Sequence, residues 1–191
     1  MKKYFLHTVF TLVATLWANA QNLDKMQWFN EPESYTIRNG KLEMDVPAQT
    51  DYWRIAHYGF TVDDGPFLYT TVGGEFEAKI KVGGDYKVRF DQAGMMIRKD
   101  PSDWSVIELK EPIPFLWLKA VRRLDAIELY YSFDDKEYTM MRTLWMQDNC
   151  PLMVGPVAAC PDGQGFKAVF SHFKVKHLPD QRRVEWLMNN Q

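Results

Sequence analysis

The chain has 191 residues, 46% hydrophobic and 15% aromatic, enough to bury one ordinary core and too few for two. Its 23 lysines and arginines stand against 25 acidic residues, a formal charge of −2. No overall basic field therefore draws it to nucleic acid phosphates, although a local basic patch is compatible with that balance.

Lys2 and Lys3 precede an apolar run over 4–17, and Ala18-Asn19-Ala20 supplies the small-x-small pattern that a secretory peptidase accepts. This predicts a signal peptide over 1–20, cleaved after Ala20, and export to the periplasm or beyond the cell. The run is too short to span a bilayer comfortably, and nothing downstream replaces it, so no transmembrane segment is expected after cleavage. Cleavage removes two basic residues and no acid, which leaves the remainder more acidic. One domain over 21–178 and a tail over 179–191 are expected.

In chain order, 23–30 reads as an opening segment. Asn39-Gly40 joins strands at 35–38 and 41–46 as a hairpin, with Leu42, Met44 and Val46 on one face. Residues 51–59 alternate, placing Asp51, Trp53, Ile55 and His57 together, and Asp63-Asp64-Gly65-Pro66 turns the chain into a strand at 67–71. Residues 75–82 alternate again, and Gly83-Gly84 is expected to turn them into a paired strand at 85–90. Next comes Phe90-Asp91-Gln92-Ala93-Gly94-Met95-Met96-Ile97-Arg98, with Met95 and Ile97 toward the core and Gln92, Gly94, Met96 and Arg98 on the opposite face. Further strands are expected at 104–109, 115–123, 126–133, 137–143, 152–159 and 166–175, then a short helix capped by Asp180. Short strands at near-regular spacing, divided by Gly, Pro and Asp turns, define an all-β sandwich.

Several of these stretches act together as a signature. Trp28-Phe29-Asn30-Glu31-Pro32, the 51–59 segment, the 90–98 run, Trp117-Leu118-Lys119 with Arg122, and Tyr131-Ser132-Phe133-Asp134 resemble the DUF1349 family. The resemblance implies a concanavalin A-like jelly roll of two antiparallel sheets, one offering a concave face of the kind on which related folds hold sugars. It is interrupted after Asp100, where a hairpin about two strands long is missing and Lys99-Asp100-Pro101 runs straight into Ser102-Asp103-Trp104-Ser105. The sandwich must then close up or present a bare edge. The family's other name, regulation of enolase, implies a glycolytic partner that does not fit an exported protein.

A glycan site requires flat aromatic faces ringed by groups that bond hydroxyls. Trp53 with Asp51 and His57 supplies one such set, and Trp104 with Glu108 repeats it. Gln92 and Arg98 add donors beside Gly94, which leaves a shallow floor. These seven residues, Asp51, Trp53, His57, Gln92, Arg98, Trp104 and Glu108, form the candidate ligand-binding set for carbohydrate or a glycan-bearing partner. The alternatives are a glycan-processing enzyme with a carboxylate pair drawn from Asp51, Asp91 and Glu108, and a structural domain whose aromatics are all core.

Other chemistries find less support. Glu43 and Asp45 lack the third carboxylate of a jelly-roll glycanase signature, since Ala48 stands in its place. Glu75, Glu77, Lys79 and Lys81 read as a solvated stripe. Ser171 and His172 cannot meet in a regular strand, because neighbours face opposite ways. Asp63-Asp64-Gly65 and Asp134-Asp135 read as turns rather than calcium ligands, and no cofactor or metal motif is present. Cys150 and Cys160 bracket an extended segment of roughly 30 Å at about 3.3 Å per residue, beyond any disulfide, so both thiols are expected free.

Overall fold

The computed structural model describes residues 22–55, 59–109, 113–147 and 149–189. The signal peptide and His57 lie outside them. A 3₁₀ turn at Leu23–Lys25, capped by the Asn22 side chain, leads to β1 (Gln27–Phe29). The strands β2 (Tyr35–Arg38) and β3 (Lys41–Val46) meet at Asn39-Gly40, where both residues take positive φ, 52° and 71°, as a tight two-residue hairpin requires. Then come β4 (Tyr52–Arg54), β5 (Thr61–Asp63), β6 (Phe67–Val72), β7 (Phe76–Gly84), β8 (Gln92–Asp100) and β9 (Asp103–Leu109). The chain closes with β10 (Leu116–Arg123), β11 (Ala126–Ser132), β12 (Thr139–Trp145), β13 (Leu152–Ala159), β14 (Phe166–His177) and α1 (Gln181–Asn189). No described helix is long and apolar enough to cross a membrane.

Two antiparallel sheets face one another, in the order β1-β6-β13-β8-β9 and β12-β11-β10-β7-β14-β3-β2, with β4 and β5 as a separate pair. The period-2 pattern fills the space between the sheets. Leu42, Met44, Ile80, Val82, Met95, Ile97, Val154 and Phe170 are all fully buried there, each side chain contributing about 1.5–3 kcal/mol of transfer free energy.

One expected hairpin is absent. Gly83 and Gly84 do not turn the chain; β7 runs through them, and 85–91 crosses to the other sheet. Neither glycine has positive φ, whereas a Cβ on Gly83 would lie 2.5 Å from the Pro114 carbonyl oxygen. These glycines admit a close neighbour rather than a reversal. The 51–59 alternation also stops early, because Ile55 takes φ 59° and β4 ends at Arg54.

The sheets are unequal, five strands against seven. β8 turns directly into β9 through Pro101 and Ser102, with the Asp100 carboxylate accepting from the Ser102 N–H (2.8 Å) and hydroxyl (2.7 Å). β9 is the last strand of its sheet, the bare edge that the missing hairpin predicts. At the other end of the chain, the Asp180 side chain accepts from the Arg182 N–H (2.9 Å), capping α1. Glu75 is 7% exposed and not part of a solvated stripe: Arg123 (2.8 Å) and the Gln181 N–H (2.9 Å) donate to its carboxylate, tying α1 to the sandwich. Both cysteines are free, Cys160 buried and Cys150 half-buried.

A candidate ligand cleft on the outer face of the five-stranded sheet

The outer face of β8 does not meet solvent directly. Met96 and Val157 form a second apolar layer with Phe67 and Tyr52, packed against Phe29, Tyr69, Trp104 and Val106. Tyr52 comes from the small β4–β5 hairpin, which lies over this layer. Its hydroxyl donates to the Gly65 carbonyl (2.6 Å), and burial followed by the Asp63 charge pushes its pKa up, so it stays protonated. The Arg98 guanidinium, 2% exposed, holds both Asp63 oxygens at 2.5 and 2.7 Å and rests 4.5 Å from the Phe29 ring centroid. Asn30 donates to the carbonyls of Asp63 (2.9 Å) and Gly65 (3.1 Å), pinning the same hairpin from the side.

Beside that hairpin lies a cavity of about 860 Å³. Trp53 and Phe60, ring centroids 6.2 Å apart, form one wall, and Trp104, Val106 and Glu108 of β9 form the other. Gln92 and Gly94 lie between them. Arg89, Phe90 and Asp162 line it too, and Arg142 reaches it from β12 of the opposite sheet. Asp51 Oδ1 accepts from the Gln92 amide (3.1 Å) and from the Tyr52 N–H (2.7 Å), which orients both polar side chains. Indole faces beside a carboxylate–amide pair and a second carboxylate can take an apolar ring surface and bond the hydroxyls at its rim.

Five of the seven candidate residues, Asp51, Trp53, Gln92, Trp104 and Glu108, line this cavity together. Arg98 does not: its guanidinium is committed to Asp63 beneath the hairpin. Asp91 points away and is 1% exposed, its carboxylate accepting from the N–H groups of Lys87 (2.7 Å) and Val88 (3.0 Å) and from the Cys160 thiol (3.0 Å). A carboxylate pair in the cavity is therefore restricted to Asp51 and Glu108. Glu43 and Asp45 lie on β3, in the other sheet, bonded to Lys41 and Lys167. The Asp134 carboxylate caps its own turn, accepting from the N–H groups of Lys136 (2.9 Å) and Glu137 (3.1 Å). Ser171 and His172 do meet, contrary to the strand rule, with Ser171 Oγ 3.1 Å from Nδ1. A register shift after Ser171, with His172 at φ 57°, lets neighbours share a side.

Phe60, Arg89, Phe90, Arg142 and Asp162 carried no legible signal. Arg142 arrives from another sheet, Asp162 sits in what reads as an ordinary Pro-Asp-Gly turn, and Phe90 is brought in by a left-handed backbone at φ 70° that no residue type announces.

A family model described as "Protein of unknown function (DUF1349)" matches residues 28–104 and 98–178. The chain belongs to the DUF1349 family. The two DUF1349 matches overlap over 98–104, so the match breaks where β8 passes into β9. The protein is similar to the Saccharomyces cerevisiae protein named "Regulation of enolase protein 1", at 29% identity over 80% of this chain and 90% of that one. It is also similar to a crystal structure of a functionally unknown protein from Saccharomyces cerevisiae, with 26% identity, a TM-score of 0.75, and coverage of 82% of this chain and 98% of the other. The GH43 protein BlXynB from Bacillus licheniformis shares the fold at 15% identity and a TM-score of 0.61, covering 84% of this chain but only 38% of that larger one. In DUF1349 terms, the cleft lies on the sheet that the break in the match shortens.

Proposed function

We propose that this protein is an exported module that binds carbohydrate, free or on a glycan-bearing partner, in the cleft between the β4–β5 hairpin and β9. The observation that carries the reading is the cavity of about 860 Å³ in which Trp53 and Trp104 share walls with the Asp51–Gln92 pair and Glu108. An apolar cleft with a few convergent polar groups is the usual form of a small-ligand site. The fold shared with glycoside hydrolase proteins is compatible with this and adds nothing about the ligand.

The same cavity holds two carboxylates, Asp51 and Glu108, and a glycan-processing enzyme is the second reading. A glycan array followed by a hydrolysis assay on each hit separates the two. Trp53→Ala is expected to weaken retention of the bound glycan about tenfold, equivalent to roughly 1.4 kcal/mol. Glu108→Gln is expected to weaken retention without altering the ligand's covalent structure. Turnover in the parent that Glu108→Gln abolishes would establish the enzyme instead, and an array with no hit would remove the carbohydrate reading.

A further inference from the structure

The opposite side of the molecule carries a surface of different chemistry. On the outer face of the seven-stranded sheet, Lys174 of β14 stands in register with Lys79 of β7, and Lys79 with Lys119 of β10. Three ammonium-bearing residues thus lie side by side on adjacent strands. Lys81 follows Lys79 on the same face, and both ammonium groups approach one indole, 5.2 and 5.8 Å from the Trp117 centroid. Like charges directly opposite one another destabilise a sheet. The surroundings only partly offset this: Asp135 bonds Lys79 at 2.6 Å, and the Tyr138 ring lies 4.0 Å from the Lys119 ammonium. Among the described residues, Lys81, Lys119 and Lys174 have no carboxylate within ion-pair distance.

The backbone beside this row is also strained. β14 is bulged between Ser171 and Lys174, and His172 there adopts φ 57°, which places its exposed ring 5.1 Å from Trp117. Bulges re-aim side chains, and a left-handed non-glycine residue carries a conformational penalty that persists where the geometry is used. Folding alone favours neither the matched lysines nor the bulge.

We propose that this face binds a linear acidic polysaccharide, whose anionic groups lie along the Lys174–Lys79–Lys119 row with Lys81 and His172 beside it. The lysines repeat at the strand separation of about 4.8 Å, comparable to the length of one pyranose unit, so successive charged sugars meet successive strands. Nucleic acid fits less well. Trp117 is 9% exposed, roofed by the lysines instead of open for base stacking, and the chain as a whole is acidic. The surface lies across the sandwich from the cleft, and the inference does not depend on what the cleft binds.

Affinity electrophoresis of the full-length protein through gels containing polygalacturonate, dextran sulfate or neutral xylan tests this, with a single-stranded DNA oligonucleotide as competitor. The parent is expected to be retarded by polygalacturonate or dextran sulfate, which separates carboxylate from sulfate recognition, and less so as salt rises. The triple variant Lys81→Gln, Lys119→Gln, Lys174→Gln is expected to bind about tenfold more weakly or worse. Its melting temperature should be no lower than the parent's, because opposed charges have been removed. Three results would overturn the proposal: no retardation of the parent; equal retardation of the triple variant; or displacement by DNA at lower concentration than by free polysaccharide. Loss of retardation in Trp53→Ala but not in the triple variant would place the acidic chain in the cleft and overturn it as well.

Discussion

At Gly94 one methyl group decides whether two strands fit together. A Cβ there would lie 1.8 Å from the Ile107 carbonyl oxygen and 2.8 Å from the Glu108 Cα, so β8 and β9 would have to part. Gly94→Ala is expected to lower stability by about 3 kcal/mol or more in urea unfolding. The sequence suggests a glycine that leaves room for a ligand, and Gly94 does line the cleft, yet the collision that requires it comes from β9. Arg98 shows the same limit: its position on the outer face of β8 is legible, but its partner Asp63 lies in what reads as a turn. Asp63→Asn leaves a buried guanidinium with half its neutralisation, and the expected loss is about 3 kcal/mol, together with weaker glycan retention as the β4–β5 hairpin lifts. The thiols differ in the same residue-level way. Burial, then the bond to Asp91, pushes the Cys160 thiol pKa up. Thiol titration should find Cys150 reactive in the native protein and Cys160 only after denaturation.

Elements whose two faces differ were the legible ones. β3, with Leu42, Met44 and Val46 inward, and the Asn39-Gly40 turn are as the alternation implies, because one face is buried and the turn chemistry is local. β7 was legible as a strand and not in its partners, since the double glycine that suggests a reversal answers to Pro114, thirty residues on. The loops between elements set the acid response. Backbone N–H groups of Lys136 and Glu137 hold the Asp134 carboxyl below the usual carboxylate range. At Asp135 burial pushes upward, but the Lys79 ammonium and Tyr138 hydroxyl outweigh it and the pKa falls. The bonds from Lys167 and Ser34 lower Asp45 as well. Carboxylates depressed on folding contribute stability above their unfolded pKa, and lose it as pH falls through the folded value. The melting temperature is therefore expected to hold near neutral pH and to fall below about pH 4. Asp135→Asn should flatten that fall by removing one of the depressed groups, read by calorimetry across pH 2.5–7.

For the molecule as a whole, the sandwich architecture was readable because many short alternating strands admit few other solutions. The cleft was readable only in part. Asp51, Trp53, Gln92, Trp104 and Glu108 converge from three strands or their flanks, as alternation allows, while Arg142 comes across from the wider sheet. That convergence depends on a sheet that ends at β9. Fewer strands on one side leave the backbone groups of β9 without a strand beyond them and its turn, Pro101 and Ser102, at the molecular margin. This margin is the natural port for new sequence. A short Gly-Ser insertion after Pro101 should shift the melting temperature by no more than about 3 °C, since lengthening a peripheral loop adds little closure entropy. The same insertion at Asn39-Gly40 should be far more damaging, because that turn sets the pairing of β2 with β3. A cassette spliced in at the margin could rebuild the absent pair of strands, or hang a different wall on the cleft, while the two facing layers keep their packing.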